Sequence, residues 1–105
     1  MSIDELKNEK GVYILHDSEK EIYKIGCSKT CKSRVKSVIK TYRFCGIKTQ
    51  LEIFNVIYVK NYKLLEKHLH LLAKKFSYQN EWFKCNQDEM NEVLFKIGSL
   101  DYYNK

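Results

Sequence analysis

Short apolar runs separated by polar connectors occupy the first third of the chain. Residues 12–16 and 22–26 flank the charged segment DSEKE, and this pattern predicts two strands joined by a turn. A helix capped by Ser28 or Thr30 is predicted to run to about Thr41, because apolar positions then recur at helical spacing, namely Val35, Val38 and Ile39. Lysines would occupy the other faces of this helix.

The segment QLEIFNVIYVK, residues 50–60, has the clearest strand pattern. The loop before it is expected to end at Gly46. One face of the strand would hold Leu51, Ile53, Ile57 and Val59, and the other face Phe54, Val56 and Tyr58. Since both faces are largely apolar, the pattern predicts a central strand covered on both sides.

Two further helices are predicted in the second half of the chain. Asn61 would cap a helix that ends at Phe76, with a buried stripe of Leu65, Leu69, Leu72 and Phe76. The polar segment SYQN then interrupts the pattern, and residues 81–85 are predicted to be a short strand. Asn86 and Glu89 have the spacing of a capping box, which would open a last helix at about residues 87–98. Its inward side chains would be Met90, Val93, Leu94 and Ile97.

These elements follow the order β-β-α-β-α-β-α and predict an α+β fold. A small, mostly antiparallel three-stranded sheet, with a short extra strand near residues 81–85, would be flanked by helices. The 105 residues contain no proline and no low-complexity tract, so a single domain is expected over residues 1–105.

The composition also bears on location and thiol chemistry. The apolar runs are far shorter than the roughly 18 residues that span a bilayer, and the charged start MSIDELKNEK lacks the apolar centre of a signal peptide. We therefore expect a cytoplasmic or nuclear protein with reduced thiols. Cys27 and Cys31, with the distant His68 and His70, lack the paired short spacings of structural zinc modules. The cysteines are interpreted as small, mostly buried hydrophobes.

Basic side chains are concentrated in the middle of the chain. The net charge is +6, and residues 22–51 contain no acid but eight basic residues, namely Lys24, Lys29, Lys32, Arg34, Lys36, Lys40, Arg43 and Lys48. A second basic group between residues 60 and 75 surrounds the single acid Glu66. Basic side chains crowded in this way repel one another, and a bound polyanion would relieve the repulsion. The charge pattern therefore favours a nucleic-acid partner over a merely soluble lysine-rich surface.

Several short motifs occur in a definite order along the chain. GVY at 11–13 and KIGCS at 24–28 are followed by Arg34 in a helix, by LEKHLH at 65–70 and by EWF at 81–83. This series resembles the GIY-YIG nuclease superfamily, and in particular its short viral, phage and bacterial branch. The resemblance covers residues 11 to about 85, and it rests on the ordered combination because no single motif is specific.

The resemblance implies hydrolysis of a phosphodiester bond with one divalent cation, Mg²⁺ or Mn²⁺. Tyr13 would orient or deprotonate the attacking water, although a phenol pKa of about 10 is high for a base near neutral pH. Lys24, where the family commonly has a tyrosine, would polarise this phenol. Arg34 would bind the phosphate as its charge grows. Glu66 would hold the metal, and His70, one helical turn later, would support the metal or protonate the leaving group.

Contacts to the nucleic acid are expected from Tyr23, Ser28, Lys29, Lys32, Lys36, Lys40 and Arg43. Each candidate also has an ordinary structural interpretation, such as a strand tyrosine, a solvated cation or an ion pair along a helix. Trp82 and Phe83 are interpreted as core residues rather than as platforms for base stacking.

The chain departs from the family pattern at three positions. Val38 stands where many members have a histidine, Tyr78 stands where many have an asparagine (with Asn80 close by), and Lys24 replaces the tyrosine of the second motif. These departures bear on whether catalysis is retained. The ordered motifs make a small metal-dependent endonuclease, acting on DNA rather than RNA, the first hypothesis. The alternatives are a catalytically weak or inactive nuclease-derived module that binds nucleic acid or protein, and a basic adaptor. A protein partner or a homodimer would supply specificity.

Overall fold

The structure of the protein is a computed structural model that describes residues 1–45 and 48–105. Its strands are β1 (Gly11–Asp17), β2 (Ile22–Ser28), β3 (Glu52–Tyr58), β4 (Ser77–Gln79) and β5 (Trp82–Lys84). Its helices are α1 (Cys31–Phe44), α2 (Tyr62–Leu72) and α3 (Gln87–Phe95), and short 3-10 turns lie at Ile3–Glu5, Lys74–Phe76 and Leu100–Asn104. The predicted loop end at Gly46 lies outside the described residues.

The five strands form one antiparallel sheet in the order β3-β1-β2-β5-β4. The predicted α+β fold is confirmed, and the predicted short strand near residues 81–85 is β5. The interpretation of SYQN as a break is wrong, because Ser77–Gln79 pairs with β5 as a hairpin. Asn80 closes that hairpin with a φ of 50°, a left-handed conformation that asparagine adopts more readily than most residues.

The strand β3 lies at the edge of the sheet, so the prediction of a central strand is wrong. Both of its faces are apolar because α1 covers one face while α2 and α3 cover the other. The predicted assignment of its side chains to the two faces is also wrong in part, because a bulge opposite Ile14 and Leu15 interrupts the alternation. Leu51, Ile53 and Val56 therefore pack on the α1 side, and Phe54, Ile57 and Val59 on the opposite side.

Two apolar clusters hold the helices against the sheet. The larger cluster lies under α2 and α3 and includes Val12, Ile14, Ile25, Leu65, Leu69, Met90 and Val93. The smaller cluster lies under α1 and includes Tyr13, Leu15, Val35 and Tyr42. Side chains that alternate along β1 thus enter different clusters, as the period of a strand requires.

The helices begin near the predicted residues but end elsewhere. Thr30 and Asn61 occupy the N-cap positions of α1 and α2 without a capping hydrogen bond from their side chains. The helix α1 continues three residues past Thr41 to Phe44, whereas α2 ends at Leu72 and a 3-10 turn leads to Phe76. The capping box of α3 is confirmed, with Glu89 N–H donating to Asn86 Oδ1 at 2.9 Å and Asn86 N–H donating to Glu89 Oε1 at 3.0 Å.

Within residues 1–45 and 48–105, the helices are too short or too polar to cross a bilayer. The four cysteines of the described chain are free thiols: Cys31 and Cys85 are buried, Cys27 is half-buried and Cys45 is exposed. The interpretation of the cysteines as buried hydrophobes therefore does not apply to Cys45.

Candidate active site

The candidate site lies where the edge of β2 loses its neighbouring strand. The strand β5 pairs with β2 only at residues 22–24, and the Ile25 N–H then donates to the carbonyl of Glu81 at 3.0 Å. Beyond this point no other described strand pairs with that edge of β2. Side chains from α2 and from the start of β5 converge on the open edge.

Three side chains at this edge could share a cation. One ligating atom from each of Glu66, His70 and Glu81 lies within 4.8 Å of the other two, and this is the one such group among residues 1–45 and 48–105. Glu66 and His70 are one turn apart on α2 and so share a side of the helix. Glu81 follows the left-handed Asn80 and reaches the group from the β4–β5 turn.

The imidazole of His70 has a defined orientation. Its Nε2 lies 2.9 Å from the carbonyl oxygen of Ile25. Because a carbonyl can only accept, Nε2 must carry the proton, and in the neutral ring the lone pair is on Nδ1. The ring also packs edge-on against Phe83, with 5.1 Å between the centroids. A histidine held through one nitrogen by a backbone carbonyl is the usual arrangement of a metal-binding histidine.

Lys24 forms an ion pair with Glu81, one of the two acids of the site. Its Nζ lies 2.8 Å from Oε2 of Glu81, and the lysine side chain is only 13% exposed. Its ammonium also lies 5.4 Å from the ring centroid of Trp82, its cross-strand partner. This ion pair uses one of the two carboxylate oxygens of Glu81.

Arg34, rather than Lys24, is the cation that acts on the phenol of Tyr13. Tyr13 is 1% exposed, and this burial raises the pKa of its hydroxyl, although a hydrogen bond with Arg34 opposes the shift. The same hydrogen bond raises the pKa of Arg34. The expectation that Lys24 polarises Tyr13 is thus corrected, because the ammonium is held by Glu81. The phenol remains protonated at neutral pH.

Cys27 lies beside Glu66 at the open edge. Burial, followed by the negative charge of Glu66, raises the pKa of this thiol to about 12. The thiol is therefore un-ionised at neutral pH and supplies no additional negative charge near Glu66.

The residues expected to bind nucleic acid do not form one surface. Tyr23 is 3% exposed and stacks on His16 with 5.4 Å between the ring centroids, so the expectation that it contacts nucleic acid is corrected. Ser28 is half-buried, and its Oγ accepts from the Thr30 N–H at 3.0 Å. Lys29 lies at the end of the sheet, in a cavity that it shares with Lys10 and Lys60.

The remaining basic candidates form a stripe along α1. Lys32, Lys36, Lys40 and Arg43 recur every three or four residues and so share a side of the helix. At 3.6 residues per turn, Arg34 lies on nearly the opposite side. The arginine faces the candidate site, and the lysine stripe faces away from it.

Tyr13, Lys24, Arg34, Glu66 and His70 therefore all lie at or beside one site, and their catalytic roles stay predictions. Glu81 and Cys27 also lie there, although neither was predicted as a site residue. Both were visible in the quoted motifs, as the first residue of EWF and the fourth of KIGCS. What was missing was the fold that brings the turn before β5 next to α2.

The chain matches the T5orf172 domain over residues 10–98. It belongs to this family, whose members are nuclease-like domains of phages and viruses.

Among curated proteins, the chain is 41% identical over 74 residues to "Uncharacterized protein 460R" of Invertebrate iridescent virus 6. The alignment covers 70% of this chain and 32% of the viral protein, so the chain spans about a third of the relative's length. No solved structure matches the chain.

Proposed function

We propose that this domain is a divalent-metal-dependent endonuclease of the GIY-YIG type that hydrolyses phosphodiester bonds in DNA. The observation that carries the proposal is the convergence of Glu66, His70 and Glu81, whose ligating atoms lie within 4.8 Å of one another. Membership of a nuclease-like family supports the same conclusion. The net charge of +6 suits a polyanionic substrate.

The donor set fits a divalent cation. Two carboxylates would supply hard oxygen ligands, and Nδ1 of His70 would supply a nitrogen ligand. A cation bound there would polarise the scissile phosphate and stabilise the leaving oxygen. The ion pair with Lys24 uses only Oε2 of Glu81, so the ligand set does not require this ion pair to break.

The other side chains would act on the phosphate and on the attacking water. Arg34 is exposed and presents a planar cation that can bind two phosphate oxygens. Tyr13 is a protonated phenol because burial raises its pKa. We therefore assign it the role of a hydrogen-bond donor that orients the water or the phosphate, rather than that of a general base. Lys24 would keep the carboxylate of Glu81 in position.

The test is cleavage of plasmid DNA in the presence of Mg²⁺ or Mn²⁺. Glu66→Gln keeps the shape of the side chain but removes its charge, and we expect it to lower the cleavage rate at least roughly 100-fold. Glu92→Gln is the matched control, since Glu92 lies on α3 with a side chain that is 65% exposed. Equal cleavage by the wild type and by Glu66→Gln would contradict the proposal.

The second candidate is a nuclease-derived module that binds nucleic acid without hydrolysing it. The ion pair between Lys24 and Glu81 favours it, because the ammonium offsets the negative charge that would attract a cation. Binding of DNA by both the wild type and Glu66→Gln, without cleavage by either protein, would support the module over the enzyme.

A further inference from the structure

Two adjoining cavities lie between α1 and the β4–β5 hairpin, next to the candidate active site. The nearer cavity has a volume of about 330 Å³, and Lys24, Arg34, Ser37 and Thr41 line it. The farther cavity has a volume of about 500 Å³, and Lys20, Tyr78, Gln79 and Lys84 line it. Trp82 and Tyr42 line both cavities, so the two adjoin at these rings, and we call the pair of cavities the aromatic cleft.

The aromatic cleft has rigid ring surfaces. The rings of Trp82 and Tyr42 are stacked with 5.6 Å between their centroids and 27° between their planes. Tyr42 is held in turn by a 2.7 Å hydrogen bond from its hydroxyl to Asp17. Tyr78, on the short strand β4, is 61% exposed. Trp82 and Tyr42 are thus held in place, and the exposed ring of Tyr78 beside them offers its surface to a planar ligand.

The charges along the aromatic cleft indicate where a phosphate would lie. Lys24 and Arg34 line the end near the active site, and no acid lines that cavity among the described residues. Two acids, Glu19 and Glu21, and two bases, Lys20 and Lys84, line the other end, so the charges there balance. A ligand with a phosphate at one end and a flat ring beside it would thus match the polarity of the cleft.

We propose that the aromatic cleft binds unpaired nucleotides of DNA next to the bond that is cut, with a base on Tyr78 beside Trp82 and its phosphate at Arg34. This inference rests on the proposed function, and it names the substrate class as single-stranded DNA or a duplex with an unpaired segment. A base inside a duplex is already stacked on its neighbours, whereas a single strand can place its bases on protein rings. The lysine stripe lies on the other side of α1 and would remain outside this path.

The experiment uses the fluorescence of Trp82, which is the single tryptophan of the chain. The full chain is titrated in EDTA with a short oligothymidine and, separately, with a blunt duplex. We expect the single strand to quench the fluorescence and to bind more tightly than the duplex. Tyr78→Ala should weaken binding of the single strand roughly 5- to 100-fold, the usual effect of losing one stacked base.

Tyr102→Ala is the matched control, because Tyr102 is also exposed (57%) but stacks on His68 outside the aromatic cleft. It should bind the oligothymidine as the wild type does. Equal quenching by the duplex, or wild-type affinity in Tyr78→Ala, would overturn the inference. Metal-dependent cleavage without these binding effects would leave the nuclease proposal intact and contradict only the proposal that the aromatic cleft binds nucleotides. Binding that depends on Tyr78, with no cleavage in the presence of any metal, would support the aromatic cleft as a binding site and contradict the proposal that the domain is a nuclease.

Discussion

The phenol ring of Tyr13 lies across the α-carbon of Gly26, its partner in the β1–β2 register. A Cβ built on Gly26 would overlap the ring at its hydroxyl end. The glycine of the KIG motif therefore makes room for the tyrosine of the GVY motif. This arrangement allows the phenol to reach the open edge of β2 while its ring stays buried.

Gly26→Ala should lower the free energy of unfolding by about 1–3 kcal/mol, because the buried ring cannot move aside without disturbing its neighbours. Urea denaturation of the variant and the wild type measures this. In a Tyr13→Ala background the same change should cost much less, since the overlapping ring is gone. An equal cost in both backgrounds would show that the ring does not require the glycine.

Asp17 joins the end of β1 to α1 and should make stability depend on pH. It is 1% exposed, and its carboxylate accepts hydrogen bonds from Tyr42, from Thr49 and from the backbone N–H groups of Glu19 and Lys20. Burial alone would raise the pKa of this carboxyl, but the hydrogen bonds outweigh burial and lower it from 3.8. A lowered pKa stabilises the fold at pH values above 3.8, and this contribution is lost as the pH falls through the folded-state value.

Asp17→Asn should therefore lower the free energy of unfolding by about 2–3 kcal/mol at neutral pH, since it weakens the bonds from buried Tyr42 and from three part-buried donors. The difference from the wild type should shrink when the pH is lowered below about 4. Denaturant titrations between pH 3 and pH 7 measure both effects. A difference that stays constant over this range would contradict the lowered pKa.

Local patterns predicted parts of this fold well, and contacts between distant segments account for most errors. The capping box of Asn86 and Glu89 spans four residues and was predicted from spacing alone. The edge position of β3 was not, because apolar residues on both faces indicate helices on both sides and not the number of neighbouring strands. Glu81 was missed as a site residue for a related reason. Its place beside α2 depends on the β4–β5 hairpin, which the polar segment SYQN did not suggest.

Thiol reactivity should distinguish Cys45 from the other cysteines. Burial raises the pKa of Cys31 and of Cys85 to about 11, and that of Cys27 to about 12. These three thiols are therefore protonated and shielded at pH 7, whereas Cys45 is exposed. We expect iodoacetamide to alkylate Cys45 first in the native protein, and mass spectrometry of tryptic peptides locates the label. Cys45→Ser should abolish the rapid labelling, and rapid labelling of Cys27 instead would contradict the burial of that thiol beside Glu66.

The imidazole of His70 should set the choice of metal. Nitrogen ligands favour Mn²⁺ and later transition metals over Mg²⁺, which prefers oxygen. We therefore expect the wild type to bind Mn²⁺ more tightly than Mg²⁺. His70→Ala should weaken Mn²⁺ binding by at least roughly 10-fold while affecting Mg²⁺ less. Calorimetric titration measures both affinities without any nuclease assay.

His68→Ala is the control, because Nδ1 of His68 lies 2.7 Å from the hydroxyl of Tyr103 and the residue is outside the Glu66, His70 and Glu81 group. If His70→Ala bound Mn²⁺ as tightly as this control, Nδ1 of His70 would not be a ligand, and the carboxylates of Glu66 and Glu81 alone would have to hold the cation.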